Sequence, residues 1–149
     1  MPLIRLILLL SLLGTSLGSR ALDLSRRPQG ESALLTADQA FQLVEARRDP
    51  GGIHLSWLIA PGYYLYRHRL AVEPADGGAA LPALRLPPGQ PRHDEHFGDV
   101  ETYTTTLDAD LPFAAGQRVP TRLRLRWQGC AEAGVCYPPV TRTVDIATP

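Results

Sequence analysis

Residues 121–127, TRLRLRW, carry the clearest structural pattern of this 149-residue chain. Leu123, Leu125 and Trp127 alternate with three arginines along the stretch. Because successive side chains of a β-strand point to opposite faces, a period of two predicts a strand with one face on a hydrophobic core and the other in solvent. The pattern therefore predicts a half-buried strand.

Similar stretches recur on both sides of residues 121–127. The others are Ile53–Ile59, Tyr64–Val72, Val100 onwards and Val140–Ile146. The turn cluster DPGG at 49–52 predicts a hairpin, while we expect Tyr64–Val72 to form a single strand and residues 93–99 a polar loop. Six or more short strands separated by Gly and Pro predict an all-β fold, an immunoglobulin-like β-sandwich. A short helix around Ala37–Val44 is compatible with that class.

The N-terminus has the layout of a secretory signal peptide. Arg5 precedes an apolar run, Leu6–Leu13, and small residues follow, with predicted cleavage after Gly18 or Ala21. The predicted segments are a signal peptide at 1–21, a flexible lead-in at 22–33 and a folded domain at 34–149. A spanning helix needs about 20 apolar residues, so we expect no direct membrane insertion after cleavage.

The charge of the chain is balanced. Fifteen basic residues match fifteen acidic ones, which gives a formal net charge of +0 at pH 7. Since no overall field attracts a polyanion, the composition predicts no nucleic-acid partner. Any partner must be recognised by a local feature of the surface.

The two cysteines of the chain, Cys130 and Cys136, lie in the segment GCAEAGVCYPP at 129–139. They fall between predicted strands ending at Trp127 and starting near Val140, which puts them on a hairpin at one end of the sandwich. Export to an oxidising compartment allows them to pair. The spacing is neither the long one of an immunoglobulin staple nor the C-x-x-C of a thioredoxin motif.

A disulfide between these cysteines would contribute little as a staple. Loop entropy gives a ring of about seven residues roughly 2.4 kcal/mol, against about 4.7 for a ring of 100. The residues alone leave three interpretations open: an exchange-active disulfide, an inert structural disulfide in a binding module, and a metal carrier that adds His93 or His96 to the two thiols. Zinc sites in proteins normally have about four ligands, and the two cysteines with these histidines barely supply that number.

Four segments in the same order resemble the N-terminal periplasmic domain of DsbD, the bacterial thiol:disulfide interchange protein. They are LTADQAF at 35–41, PGYYLYRHRL at 61–70, DEHFGDVETY at 94–103 and WQGCAEAGVCYPPVTRTV at 127–144. The resemblance covers nearly all of the chain after the predicted signal peptide. Members of that family continue into a transmembrane and a thioredoxin-like domain, so we expect a stand-alone version or a fragment of a longer product.

The resemblance implies an immunoglobulin-like thiol:disulfide oxidoreductase without a cofactor, one domain of a periplasmic electron relay. Cys130 and Cys136 would shuttle between dithiol and disulfide, with Cys136 forming the mixed disulfide and Cys130 resolving it. The implied donor is a thioredoxin-like domain of the DsbD C-terminal type. The implied acceptors are periplasmic disulfide isomerases and a cytochrome c maturation thioredoxin, in a bacterium of Gram-negative type.

The resemblance also implies a cap loop at Asp94–Gly98 that covers the cysteines until a partner docks. Asp94 and Glu95 match acidic positions near the thiols, where negative charge disfavours the thiolate. Tyr64 and Tyr66 match tyrosines beside the active site. On the residues alone, an ordinary core position is favoured for the two tyrosines. For the two acids, a solvated loop fits the residues as well as a site does.

One position departs from the family. When the segments are aligned on Gly98, His96 occupies the place where the family's cap presents a phenylalanine, and Phe97 follows it. Either Phe97 shields the disulfide after a small shift of the loop, or His96 does so. A capping imidazolium below about pH 6.5 would favour the nearby thiolate, which a phenylalanine cannot do.

Overall fold

The computed structural model of the chain describes residues 33–78 and 80–148. The predicted signal peptide and residues 22–32 of the predicted lead-in lie outside the described residues. The elements in chain order are α1 Ala37–Ala40, β1 Phe41–Asp49, β2 Gly52–Ile59, β3 Tyr63–Tyr66, a 3-10 helix Arg67–Arg69, β4 Ala71–Pro74, β5 Gln90–Asp94, β6 Gly98–Tyr103, β7 Thr106–Pro112, β8 Arg122–Trp127, β9 Gly129–Ala131, β10 Val135–Cys136 and β11 Val140–Asp145.

The strands form three antiparallel sheets. Their orders are β1-β2-β7, β10-β9-β3-β6-β5 and β11-β8-β4. The predicted all-β sandwich is confirmed, with a hairpin of β9 and β10 carrying both cysteines at the edge of the five-stranded sheet. The described part of the chain contains no helix with the length and apolar character that crossing a bilayer requires.

The hydrophobic core follows the predicted alternation. In β8, Leu123, Leu125 and Trp127 are buried while the arginines between them are exposed. In β2 the side chains from Ile53 to Ile59 alternate in the same way. Trp57 of β2 meets Trp127 of β8 edge to face at 5.9 Å, so the two tryptophans join two sheets across the core. Burying large side chains of this kind contributes about 1.5–3 kcal/mol each.

The predicted helix at Ala37–Val44 is wrong beyond its first turn. The helix ends at Ala40, and Phe41 begins β1 opposite Ile59 of β2. The Phe41 ring is 1% exposed and packs against aromatic side chains of the core. Pairing with β2 and burial of the ring therefore outweigh the local helical pattern.

The predicted single strand Tyr64–Val72 is also wrong. The 3-10 helix Arg67–Arg69 divides it, and the two halves, β3 and β4, join different sheets. All four residues of β3 are buried, because other parts of the domain cover both of its faces. Alternation therefore could not reveal where the strand ends.

The predicted polar loop at residues 93–99 is instead the tip of a β-hairpin. Strand β5 ends at Asp94 and β6 begins at Gly98. The Asp94 carboxylate accepts hydrogen bonds from the backbone N–H groups of His96 and Phe97, a local turn that Asp side chains favour. Gly98 adopts a φ of 69°, which a glycine accepts without strain. We call residues 90–101 the β5–β6 ribbon.

Candidate functional site

The two cysteines face each other across one hairpin. The register of β9 and β10 puts Cys130 opposite Cys136, and a disulfide of 2.09 Å joins their sulfurs. Cys130 is 0% exposed, whereas Cys136 lies in an exposed strand. A reagent that arrives from solvent therefore meets Cys136 first.

Strand β9 lies unusually close to β3 beneath the disulfide. Tyr64 of β3 pairs with Cys130, and a Cβ built on Gly129 would lie 2.3 Å from the Tyr64 carbonyl oxygen and 2.6 Å from Cζ of Phe41. Only glycine fits this approach without a shift of the backbone. The close contact fixes the position of the buried sulfur relative to β3.

The Tyr66 hydroxyl lies between the sulfurs and an acidic group. Its oxygen is 3.1 Å from Sγ of Cys130 and 3.8 Å from Sγ of Cys136, while its proton is donated to Oδ2 of Asp94. Burial, and then the hydrogen bond to Asp94, raises the pKa of Tyr66 above its ordinary value. The phenol therefore stays protonated and neutral at physiological pH.

Asp94 is a buried carboxylate in the ribbon turn. It is 7% exposed, and Oδ1 accepts the N–H groups of His96 and Phe97 at 2.8 and 3.0 Å. Burial by itself would raise the pKa of Asp94, but the bonds from Tyr66 and from these two N–H groups outweigh it and hold the pKa below its ordinary value. A negative charge therefore lies one hydroxyl away from the sulfurs.

Phe97 occupies a cage that the sequence did not reveal. Its ring meets Tyr66 and His68 edge to face, each at 5.1 Å between centroids, and the Arg69 guanidinium lies 5.2 Å from its centre. Phe97 is 38% exposed. The stretch PGYYLYRHRL predicted an alternating strand and no contact with Phe97. The 3-10 helix Arg67–Arg69, which that alternation does not predict, places His68 and Arg69 beside the ribbon.

The neighbours of Phe97 in the turn point elsewhere. Glu95 and His96 are both exposed, and the His96 ring is 6.5 Å from that of Phe97. Of the predicted site residues, the structure thus brings together Cys130, Cys136, Tyr64, Tyr66, Asp94 and Phe97. Glu95 and His96 are exposed in the turn that Gly98 completes.

Arg92 also lies at this site, although no sequence pattern singled it out. Its guanidinium carbon is 3.9 Å from the centre of the Tyr64 ring, and Nη1 and Nη2 donate to the two carboxylate oxygens of Glu132 at 3.0 and 2.5 Å. Hydrogen bonding to Glu132 raises the pKa of Arg92 further above its ordinary value. Arg92 is 40 residues from Glu132 in sequence, so this contact required the fold.

The histidines do not complete a metal site. His93 is exposed and its Nδ1 lies 2.8 Å from Oδ1 of Asp99 across the ribbon. Among residues 33–78 and 80–148, no group of three or more His, Cys, Asp or Glu side chains is arranged to hold a metal ion. The metal carrier interpretation therefore lacks a ligand set in the described part of the chain.

Comparisons with known proteins agree with this geometry. The family model described as thiol:disulfide interchange protein DsbD, N-terminal, matches residues 31–148. The chain is 41% identical to thiol:disulfide interchange protein DsbD 2 of Pseudomonas aeruginosa over 149 residues, which is 98% of this chain and 24% of that protein. It is 44% identical to DsbD of Cronobacter sakazakii over 120 residues, 80% of this chain and 20% of that protein. The chain thus spans about a quarter or less of the length of these relatives.

Solved structures agree as well. The crystal structure of the Neisseria meningitidis DsbD N-terminal domain in the reduced form matches with a TM-score of 0.67 and 32% identity, over 76% of this chain and 90% of that one. A structure of the complex between the DsbD N-terminal and PilB N-terminal domains of the same organism matches with a TM-score of 0.63 and 35% identity, over 75% and 86%. With the paired cysteines at the same hairpin that carried the sequence resemblance, the chain belongs to the family of DsbD N-terminal domains.

Proposed function

We propose that this domain carries out thiol:disulfide interchange, passing reducing equivalents through the reversible disulfide of Cys130 and Cys136. The observation that carries the proposal is the asymmetry of the pair, with one sulfur exposed and the other buried against the Tyr66 hydroxyl at 3.1 Å. A purely structural disulfide does not require an exposed sulfur. Membership of the DsbD N-terminal family supports the same activity.

Reduction of the domain begins at the exposed sulfur. A thiolate of the donor attacks Sγ of Cys136, the bond to Cys130 breaks, and its electron pair leaves on the Cys130 sulfur as a thiolate. A second donor thiolate then attacks the donor sulfur of the mixed disulfide and releases Cys136 as a thiolate. The donor ends as a disulfide, and two electrons have entered this domain.

Delivery to an acceptor runs the same steps in the other direction. The Cys136 thiolate attacks an acceptor disulfide and expels one acceptor thiolate. Cys130 then attacks Sγ of Cys136, which releases the second acceptor thiolate and restores the disulfide. The assignment of Cys136 as the attacking cysteine is supported by its exposure, and that of Cys130 as the resolving cysteine by its burial.

Tyr66 and Asp94 are proposed to tune this chemistry. When Cys130 leaves as a thiolate, the Tyr66 O–H can turn from Asp94 towards that sulfur and stabilise it without giving up its proton. Asp94 works in the opposite sense, since its negative charge disfavours a thiolate nearby. The free domain is therefore expected to be slow with adventitious thiols. Tyr64 and Gly98 are proposed to belong to the same environment, while Glu95 is exposed in the turn.

Phe97, rather than His96, is proposed as the side chain that caps the site. Its ring packs on Tyr66, the residue in contact with both sulfurs, whereas the His96 ring meets the Phe97 ring at 6.5 Å. Val100 of the β5–β6 ribbon packs against the buried cluster that contains Cys130, so the ribbon must then move to uncover this sulfur. Cys136 stays exposed with the turn in place, so the turn acts mainly on the buried sulfur and on Tyr66.

The proposed partners are thioredoxin-like proteins. The donor is a domain of the DsbD C-terminal type, and the acceptors are disulfide isomerases and a cytochrome c maturation thioredoxin in the periplasm. A solved complex of a related DsbD N-terminal domain with the PilB N-terminal domain supports a protein partner. The charged start and apolar run of residues 1–21 support export through a signal peptide. Residues 22–33 are proposed to link it to the folded domain.

Trapping tests the proposal directly. The Cys130→Ala variant cannot resolve a mixed disulfide, so in periplasmic extract it should accumulate a covalent adduct between Cys136 and a thioredoxin-fold protein. The matched Cys136→Ala variant should form little adduct, because Cys130 is buried. Absence of any adduct with reactive thiols present would contradict exchange. A redox titration separates the inert alternative, whose potential should lie below about −300 mV.

A further inference from the structure

The β5–β6 ribbon is attached to the described domain through few backbone contacts. Strand β6 pairs with β3 at its end, where Tyr103 lies opposite Leu65 and Thr102 opposite Tyr66. Among the described strands, residues 98–101 pair with β5 alone. Because a two-stranded hairpin is marginally stable in water, side-chain contacts must hold the ribbon in place.

Arg92 is the side chain that joins the ribbon to the disulfide loop. Its fork donates to both carboxylate oxygens of Glu132, and its guanidinium lies over the Tyr64 ring at 3.9 Å. Glu132 lies inside the ring that the bond between Cys130 and Cys136 closes. Arg92, a ribbon residue, therefore contacts both strand β3 and the disulfide loop, which is the segment between Cys130 and Cys136.

This contact is stronger than an ordinary surface ion pair. Exposed pairs of single charges contribute little, because water and salt screen them. Here the Arg92 side chain is 29% exposed, Nη1 and Nη2 both donate in a parallel fork, and one face of the guanidinium is covered by the buried Tyr64 ring. Fork geometry and a desolvated cation over an aromatic ring both strengthen such a pair.

We propose that Arg92 is a positioning residue that latches the β5–β6 ribbon to the disulfide loop through Glu132 and Tyr64, and so sets how often the ribbon opens and uncovers Cys130. The functional importance of this latch rests on the proposed exchange activity. The latch itself is a property of the folded chain and can be measured without any partner. It makes access to the buried sulfur depend on ionic strength.

Alkylation of Cys130 measures the opening. In the reduced full chain carrying Cys136→Ala, the rate of reaction with iodoacetamide is proportional to the fraction of time that Cys130 is uncovered. Arg92→Gln and Glu132→Gln should each accelerate the reaction by roughly 3- to 10-fold, since each breaks the fork. The double variant should be no faster than the faster single variant, because both remove the same contact.

The two single variants also separate a latch from a direct charge effect. Removing Arg92 takes away a positive charge, which lowers the thiolate fraction, and removing Glu132 takes away a negative charge, which raises it. An effect on the thiolate alone would therefore change the two rates in opposite directions. Opening of the ribbon accelerates both. Opposite signs, or rates equal to those of the Cys136→Ala parent, overturn the latch.

Salt and a conservative variant provide further readouts. Raising NaCl from about 0.05 to 0.5 M should accelerate alkylation of Cys130 in the Cys136→Ala parent several-fold. The same change should leave the alkylation rate of Arg92→Gln nearly unchanged. Arg92→Lys keeps the charge but loses the fork, so its rate should be intermediate. The pair of Arg142 with Asp38, in which Nη2 donates to both carboxylate oxygens, offers a control away from the site, and Arg142→Gln should not change the rate. The same order of rates is expected in a Cys136→Ser background, which guards against misfolding of one parent.

Reduction by thioredoxin separates the latch from the proposed function. The probe is reduced thioredoxin added to the oxidised full chain with both cysteines, followed by the loss of the Cys130–Cys136 disulfide. Faster alkylation in the variants with no reduction of any chain would leave the latch standing and overturn the exchange function. Reduction of the wild-type chain would support the exchange function. If Arg92→Gln and Glu132→Gln then match wild type in reduction and the Cys136→Ala parent in alkylation, the latch is overturned.

Discussion

Tyr66→Phe tests the hydroxyl that lies between the sulfurs and Asp94. The substitution keeps the buried ring and its packing on Phe97 but removes the donor to Oδ2 of Asp94 and the contact at 3.1 Å from Cys130. Asp94, 7% exposed, then keeps two of its three hydrogen bonds. A hydrogen bond to a charged group contributes about 1.5–3 kcal/mol, so we expect a loss of roughly 2 kcal/mol at pH 7.

Urea unfolding of the oxidised protein measures this loss. For an m-value of roughly 1.5 kcal/mol/M, a loss of about 2 kcal/mol lowers the midpoint by about 1.3 M. The loss should shrink as the pH falls. The folded pKa of Asp94 is depressed, so its stabilising effect is present above the unfolded value of about 3.9 and disappears as the pH drops through the folded value. The difference between wild type and Tyr66→Phe should therefore be smaller at pH 3 than at pH 7.

Tyr103→Phe is the matched control. The Tyr103 hydroxyl donates to the backbone oxygen of Pro87 at 2.7 Å, a neutral acceptor. Its removal should cost about 1 kcal/mol, with no difference between pH 3 and pH 7. If Tyr66→Phe costs no more than Tyr103→Phe at pH 7, or if its cost is the same at both pH values, then Asp94 does not depend on Tyr66 as the geometry requires.

Three further predictions follow from the site. Phe97→Ala should quicken alkylation of Cys130 in the reduced Cys136→Ala chain by roughly 2- to 10-fold, since an edge-to-face pair contributes about 0.5–1.5 kcal/mol, while exposed His96→Ala should stay within about twofold of the same parent; equal rates for both would contradict Phe97 as the cap. Gly129→Ala puts a methyl 2.3 Å from a backbone oxygen of β3 and should cost about 2 kcal/mol or more in thermal unfolding, whereas an unchanged midpoint would show that β9 and β3 can separate freely. The hydrogen bond that His93 donates to Asp99 raises the pKa of His93, so this pair stabilises the folded state at low pH and the stabilisation is lost as the pH rises through the raised value; Asp99→Asn should lower the pKa of His93 in an NMR titration, and an unshifted titration would refute the pairing.

The sequence predicted the parts of the fold that repeat along the chain. Alternation located β2 and β8 because each has one buried and one exposed face, and that asymmetry is written in consecutive residues. It failed at Tyr64–Val72, since β3 is buried on both faces and its end shows no change of pattern. It also missed the hairpin at residues 93–99, where a polar stretch folds through hydrogen bonds of the Asp94 side chain.

For the site, the sequence by itself determined the chemistry and its address: two cysteines on one hairpin, in a pattern resembling DsbD. Only the tertiary structure decided that Cys130 is buried and Cys136 exposed, that Tyr66 reaches both sulfurs, and that Arg92 clasps Glu132. Tyr66 and Cys130, like Arg92 and Glu132, are separated by 40 or more positions in the sequence. Their meeting depends on the register of β3 with β9 and on the path of the β5–β6 ribbon, which no local period encodes.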